Sequence, residues 1–270
     1  MKRSERLVDM TKFLMERPHT LIALPFFAKR YGAAKSSISE DLAILKHTLA
    51  ANEDGILETV AGAAGGVRYI PFLGRKPAEK YLKDLASRIQ DPSRILPGGF
   101  VYLSDVLGGP QDLGMIGKLI ASRYAYSDIE AVMTVETKGI SLANAVAAYL
   151  NVPAVTARKR SKVTEGATVS VNYMSSSTSR VAKMELPTRA LQKDTNVLIV
   201  DDFMKGGGTL QGMVEMMAEF QAEVVGIGVM IATMTPETKR CAGAKALLMF
   251  RSADRESGAC EVVPSADFSE

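Results

Sequence analysis

The stretch Leu198-Ile199-Val200-Asp201-Asp202-Phe203-Met204-Lys205-Gly206-Gly207-Gly208-Thr209 constrains this chain more than any other. Val197–Val200 is a short apolar run of strand character, two carboxylates follow it, and three glycines and a threonine lead into the helical pattern Leu210–Phe220. A buried strand that turns straight into a helix is the repeating unit of a parallel α/β sheet. Its neighbours repeat the rule. Val101–Leu103, Ala131–Val135, Ala154–Thr156, Val224–Ile231 and Ala246–Met249 read as further strands, with helices over Leu113–Tyr124 and Ile140–Leu150. Ligands of such sheets bind beyond the C-terminal ends of the strands, so the residues after each strand carry the chemistry.

A glycine-rich turn lets backbone N–H groups close around a phosphate, and the helix N-terminus behind it adds partial positive charge. Paired carboxylates accept hydrogen bonds from sugar hydroxyls, directly or through Mg²⁺. Asp201, Asp202 and the loop through Thr209 therefore suit a ligand with one anionic group and one diol. Glu136-Thr137-Lys138-Gly139 stands at another strand end, where Gly139 permits close backbone approach and Lys138 supplies charge. Arg158, Lys159, Arg160 and Lys162 follow the strand Ala154–Thr156 as a basic run fit for an anion. Thr168–Tyr173 alternates polar with apolar residues and passes through Met174 into Ser175-Ser176-Ser177-Thr178-Ser179, the pattern of a protruding hairpin.

The first 75 residues are organised differently. Ser4 is read as the cap of a helix with Leu7, Met10, Thr11 and Leu14 on one face, ended by Pro18. Pro25 opens a second helix that Gly32 closes. Ser37-Ile38-Ser39-Glu40 matches a capping box, and Ile38, Leu42, Leu45 and Leu49 continue it as one apolar stripe. Ile56–Val60 and Val67–Ile70 flank Ala61-Gly62-Ala63-Ala64-Gly65-Gly66 as a hairpin with a small-residue tip. Three short helices followed by a hairpin is the order of a winged helix, which sets its third helix in the major groove of DNA. Lys35, Ser36, Ser37, Ser39 and Lys46 are the candidate contacts from that helix, and Gly65, Gly66 and Arg68 those from the hairpin. The charge agrees in sign. Residues 1–75 hold 11 Lys/Arg against 8 Asp/Glu while the rest of the chain holds 22 of each, so the net +3 lies entirely at this end.

Two domains are expected, a winged-helix DNA-binding domain at 1–74 and an α/β domain at 75–270, with a linking helix at 75–92 whose core is Glu79–Ile89. No apolar run approaches the roughly 20 residues that span a bilayer, and the N-terminus lacks a signal core, so the expected location is cytoplasmic, without membrane contact. Cys241 and Cys260 have no histidine nearby, which leaves no zinc site or disulfide framework to expect. His19 and His47 are the only histidines and both precede the α/β region, excluding histidine catalysis within it.

Leu198–Thr209 resembles the binding motif for 5-phosphoribosyl-1-pyrophosphate (PRPP) of the type I phosphoribosyltransferases. That resemblance implies that Asp201 and Asp202 hold the ribose hydroxyls and that Lys205 to Thr209 cradle the 5-phosphate. It further implies that Thr137, Lys138 and Gly139 form the pyrophosphate loop, and that Arg158, Lys159 and Tyr173 belong to a segment closing over the ligand. Lys205 and Gly206 depart from the hydroxyl or small residues usual at those positions. A transferase also needs a hood for its nucleobase, for which only Leu96-Pro97-Gly98-Gly99-Phe100 and the tail after Met249, with Phe268, offer themselves. With the N-terminal module included, the chain resembles the purine operon repressors of Gram-positive bacteria. The matching stretches are Lys35–Asp41, Gly62–Val67, Thr137–Ile140, Lys162–Gly166 and Val200–Lys205. This implies a homodimer that binds an operator in double-stranded DNA and releases it when PRPP, with Mg²⁺, occupies a catalytically silent pocket. Other pyrophosphate-bearing nucleotides, guanosine tetraphosphate among them, are expected to compete. The alternative is a catalytic purine phosphoribosyltransferase.

Overall fold

The computed structural model describes residues 1–62, 64–96, 100–160, 163–175, 180–253 and 260–266. Helices α1 (Arg3–Met15), α2 (Leu24–Tyr31) and α3 (Lys35–Ala51) bury Met10, Leu14, Phe27, Ile38, Leu42 and Leu45 against one another, with Leu49 packed at the edge of this core. Strands β1 (Ile56–Val60) and β2 (Gly66–Ile70) cover it in antiparallel register, Ile56 opposite Ile70 and Val60 opposite Gly66. Ile22 bridges Val67 and so adds a short third strand to the hairpin. This is the winged helix that the order of elements predicts.

Both serine caps are corrected. Ser4 lies inside α1, which reaches back to Arg3 because Arg3 and Arg6 bond the buried carboxylate of Asp41 on α3, at 2.9 and 2.7 Å. Glu5 accepts the Lys2 N–H instead. The predicted capping box lies within α3, since Gly32 in the left-handed region (φ 59°) turns the chain early and Ala34 precedes the first helical residue. The Ile38 N–H already reaches the Ala34 carbonyl, and the Ser39 hydroxyl donates to the Lys35 carbonyl at 3.0 Å.

The linking helix α4 (Arg75–Ile89) starts earlier than Glu79, its first turn held by an Arg75–Glu79 ion pair. Then come β3 (Ile95–Leu96), β4 (Phe100–Val101), α5 (Ser104–Gly108), α6 (Pro110–Arg123), β5 (Ala131–Val135), α7 (Gly139–Leu150) and β6 (Ala154–Ala157). The antiparallel pair β7 (Thr168–Ser175) and β8 (Arg180–Pro187) follows, then β9 (Asn196–Met204), α8 (Gly208–Glu219), β10 (Glu223–Thr233), β11 (Ala244–Ala253) and β12 (Cys260–Pro264). The main sheet runs β12-β11-β10-β9-β5-β6, parallel except for β12, which pairs antiparallel with β11. The predicted strand Val101–Leu103 does not join it. Val101 pairs with Ile95 in a separate ribbon that the Tyr102 N–H extends to the Arg94 carbonyl, and Leu103 leads into α5.

Successive side chains of a strand point to opposite faces, and β9 divides accordingly. Leu198 and Val200 pack with α4, α6 and α7, whereas Val197 and Ile199 pack with α8 and the β7–β8 hairpin. From β5 the chain crosses to β6 on one side, and β9 continues to β10 and β11 on the other, so β5 and β9 flank the point where the strand order reverses. A crevice forms at such a point.

The winged-helix core and the sheet cores are separate apolar clusters. Polar contacts join them: Lys118 of α6 pairs with Asp54, and Asn151 after α7 donates to the Thr20 hydroxyl at 3.3 Å. The connecting segment is anchored by Leu73, whose side chain lies in the sheet core and whose N–H reaches the Ser122 hydroxyl at 3.1 Å. No helix among the described residues is long and apolar enough to cross a membrane.

Candidate functional site

Asp201 and Asp202 belong to β9 itself, contrary to the expectation that they follow it. β10 stays paired alongside to Met204, and this continued ladder keeps the strand going. Asp201 is buried and its Oδ1 accepts the Asp202 N–H at 3.0 Å. Burial holds the Asp201 carboxyl well above the usual carboxylate range, and the charge of Asp202 adds to that. Burial raises Asp202 too, against the opposing charge of Lys138. Two carboxylates brought together out of water favour a proton, a hydroxyl donor or a cation between them.

The loop after β5 closes on the same spot. A Cβ on Gly139 would stand 2.2 Å from the Thr134 hydroxyl oxygen and 3.2 Å from Asp201 Oδ1, so only glycine lets this backbone lie against the acid pair. The Glu136–Thr137 peptide is cis. Glu136 turns inward on the basic run: it accepts the Lys159 N–H at 2.8 Å and approaches the Arg158 guanidinium at 3.7 Å. Arg158 also bonds Glu165 at 2.7 Å, so this guanidinium already has two carboxylate partners.

On the other side, Gly207 adopts φ 77° and precedes the first residue of α8, where its backbone passes close to Cys241. Thr209 lies near the phenol of Tyr173, a buried residue of β7. Burial lifts the Tyr173 phenol above its ordinary value, with Asp201 adding to the effect. Gly212 of α8 admits this ring, because a Cβ there would meet Tyr173 at 2.7 Å. Tyr173 is thus brought to the acid pair. Met204 is buried and Phe203 packs edge-on to Phe250, so these two face hydrocarbon. Lys205 is exposed beside a cavity of about 240 Å³ that Ser175 and Arg240 also line.

Thr134, Thr233 and Lys239 join the site without having been anticipated. Thr233 ends β10, the kind of position the strand-end rule searches. Lys239 carries no local sequence signal, because its partner Lys205 is 34 residues away. Of the candidate hood, 97–99 lie outside the described residues, as do Lys162, the hairpin tip 176–179 and Phe268.

In the winged helix, Lys35, Ser36, Ser39 and Lys46 are exposed. At about 100° per residue, Ser39 and Lys46 lie within about 40° of Lys35 around the helix, Ser36 about 100° away and Ser37 on the far side. Ser37 is half-buried. Arg68 pairs with Glu58 across the hairpin. Gly65 and Gly66 are required by close approach: a Cβ on Gly65 would meet the Val60 carbonyl oxygen at 2.2 Å, and one on Gly66 that of Ile22 at 2.3 Å.

Residues 2–71 match the family described as bacterial purine repressor, N-terminal, and residues 106–254 match the phosphoribosyl transferase domain. The purine biosynthesis transcriptional repressor of Bacillus subtilis is 54% identical over 230 residues, covering 85% of this chain and 81% of that protein. The purine biosynthesis transcriptional activator of Lactococcus lactis subsp. lactis is 47% identical over 231 residues, covering 86% and 85%. Among solved structures, the adenine phosphoribosyltransferase of Thermoanaerobacter pseudethanolicus matches 63% of this chain and 99% of its own, with a TM-score of 0.53 at 18% identity. That likeness is one of fold.

Proposed function

The chain belongs to the bacterial purine repressor family, and from that premise we propose that it represses purine-biosynthesis genes, with PRPP as the inducer that lowers its DNA affinity. The observation that carries the ligand is the meeting of two anion loops at one acid pair, Asp201 buried and Asp202 half-buried. Gly139 touches Asp201 from one side, and the glycine turn leads from Asp202 into α8 on the other. PRPP has the matching parts in the matching order. Its diol faces Asp201 and Asp202, its pyrophosphate lies at Thr137–Gly139 near Lys138, and its 5-phosphate at Gly206–Thr209. Asp201 and Asp202 would hold Mg²⁺, whose charge would offset that of the paired carboxylates. Tyr173, packed against Gly212 of α8, forms a wall beside the acids.

The winged helix reads DNA through the exposed stripe of Lys35, Ser39 and Lys46, with Ser36 beside it. PRPP is a substrate for purine synthesis, so its accumulation is a reason to release the operator. By linkage, DNA must weaken PRPP binding by the factor by which PRPP weakens DNA binding. Nucleotides bearing a pyrophosphate, guanosine tetraphosphate included, compete for the same loops in this reading. The protein acts as a homodimer in the cytoplasm and does not turn PRPP over.

The decisive experiment measures DNA affinity against PRPP concentration, with Mg²⁺, for the wild type, Asp201→Ala and Asp202→Ala. Release by PRPP in the wild type and insensitivity in both variants is the expected result. PRPP without effect on wild-type binding would sink the inducer role. Pyrophosphate release with adenine, guanine, hypoxanthine or xanthine at about 1–1000 per second would establish the transferase reading instead. The activator relative makes the sign of regulation a separate matter. Deleting the gene should raise transcription of purine-synthesis genes, and a fall would make the protein an activator.

A further inference from the structure

Lys239 lies in the segment after β10, half-buried, and its ammonium donates to the Lys205 carbonyl at 2.6 Å and to the Thr233 hydroxyl oxygen at 3.1 Å. The Thr233 hydroxyl has one proton. It stands 2.6 Å from the Thr235 carbonyl and 3.1 Å from that of Lys205, so the shorter contact takes the proton and Lys239 is left as the principal donor to Lys205. One residue on, the Arg240 N–H donates to the Gly206 carbonyl at 2.9 Å. Two consecutive carbonyls of the phosphate loop are thereby drawn to the same strap.

Planar trans peptides turn this into a statement about donors. In such a unit the C=O of one residue and the N–H of the next point in opposite directions. The carbonyls of Lys205 and Gly206 face the strap, so the N–H groups of Gly206 and Gly207 face away from it. Among the described residues neither N–H has an acceptor. A peptide beside Gly206 rotates at little steric cost, so the loop's own backbone does not choose between this arrangement and its reverse.

We propose that Lys239 is a positioning residue for the phosphate cradle: by holding the Lys205 carbonyl it turns the Gly206 N–H toward the ligand's 5-phosphate. It touches no ligand atom itself. Burial lowers the affinity of its ammonium for the proton.

The inference rests on the PRPP reading, and the test separates the two. Calorimetry on the full chain with Mg²⁺ compares PRPP, ribose 5-phosphate and inorganic pyrophosphate for the wild type, Lys239→Met and Lys239→Gln. Losing a hydrogen bond from a charged donor should weaken PRPP and ribose 5-phosphate about ten-fold or more in Lys239→Met. Pyrophosphate, held at the other loop, should stay within about two-fold. Lys239→Gln keeps a donor and should recover much of the loss, while Lys239→Ala, which like methionine has no donor, carries the test if the methionine variant does not fold. Equal weakening of all three ligands means a general structural role and overturns the proposal, as does unchanged ribose 5-phosphate binding. A wild type that binds neither PRPP nor ribose 5-phosphate overturns the functional reading, and this inference with it.

Discussion

Gly139→Ala tests whether the loop after β5 is part of the effector site. The added Cβ would lie 2.2 Å from the Thr134 hydroxyl oxygen, where an ordinary contact begins near 3.4 Å, so something must move by about 1 Å. Thr134 is fully buried in a strand whose five residues are all buried, and Asp201 blocks the other direction at 3.2 Å. The loop therefore moves. Overpacking of this kind costs about 1–3 kcal/mol. Borne by the ligand-binding conformation, that cost weakens PRPP by roughly 5- to 150-fold at 1.4 kcal/mol per decade. Titration calorimetry with PRPP and Mg²⁺ reads the loss, while operator affinity without effector should stay as in the wild type. Thr134→Ala in the same chain removes the clashing oxygen, which among the described residues makes only a 3.5 Å hydrogen bond to the Val135 carbonyl, and should restore most of the affinity. PRPP binding within two-fold of wild type by Gly139→Ala, or a double variant no better than the single, would refute the reasoning.

Because burial raises both Asp201 and Asp202, their contribution to stability is complete below the unfolded Asp value of about 3.9 and is lost as pH rises through the raised folded values. Ligand-free protein should become less stable as pH climbs above about 4, and Asp201→Asn should flatten that profile. The variant should melt higher than wild type at neutral pH while binding PRPP less tightly; urea titrations at several pH values check it. Asp41→Ala leaves Arg6 partly buried without its carboxylate, at a cost of about 3–5 kcal/mol. It should abolish operator binding while leaving PRPP calorimetry unchanged. Lys35→Ala and Lys46→Ala should each reduce the slope of log K against log salt by about 0.9 if each lysine meets one phosphate; an unchanged slope removes that lysine from the interface.

What could be read in the sequence follows the range of the forces involved. The apolar run Val197–Val200 and the stripe Ile38, Leu42, Leu45 and Leu49 are local patterns, and both survive in the fold. Ser4 and Ser37 misled because hydroxyl capping is a local preference, here outweighed by the Asp41 ion pairs and by the turn at Gly32. The end of β9 is set by how far β10 accompanies it, which no residue of β9 encodes. β12 shows the alternation Cys260 in, Glu261 out, Val262 in, and that pattern could have been recognised. The partners of Arg158 were beyond reach. A basic residue after a strand looks the same whether it waits for an anion or already holds Glu136 and Glu165.

The polar seam between the domains bears on how such a protein can signal. Sliding one apolar core past another exposes hydrocarbon at every intermediate position, which makes the junction stiff. The bond from Asn151 to Thr20 is exposed and of a kind that water replaces almost in kind. Solvent then acts as a lubricant rather than a barrier. The winged helix can be re-aimed while each domain keeps its own core intact, with the buried end of Lys118 and the Leu73 anchor as points that resist.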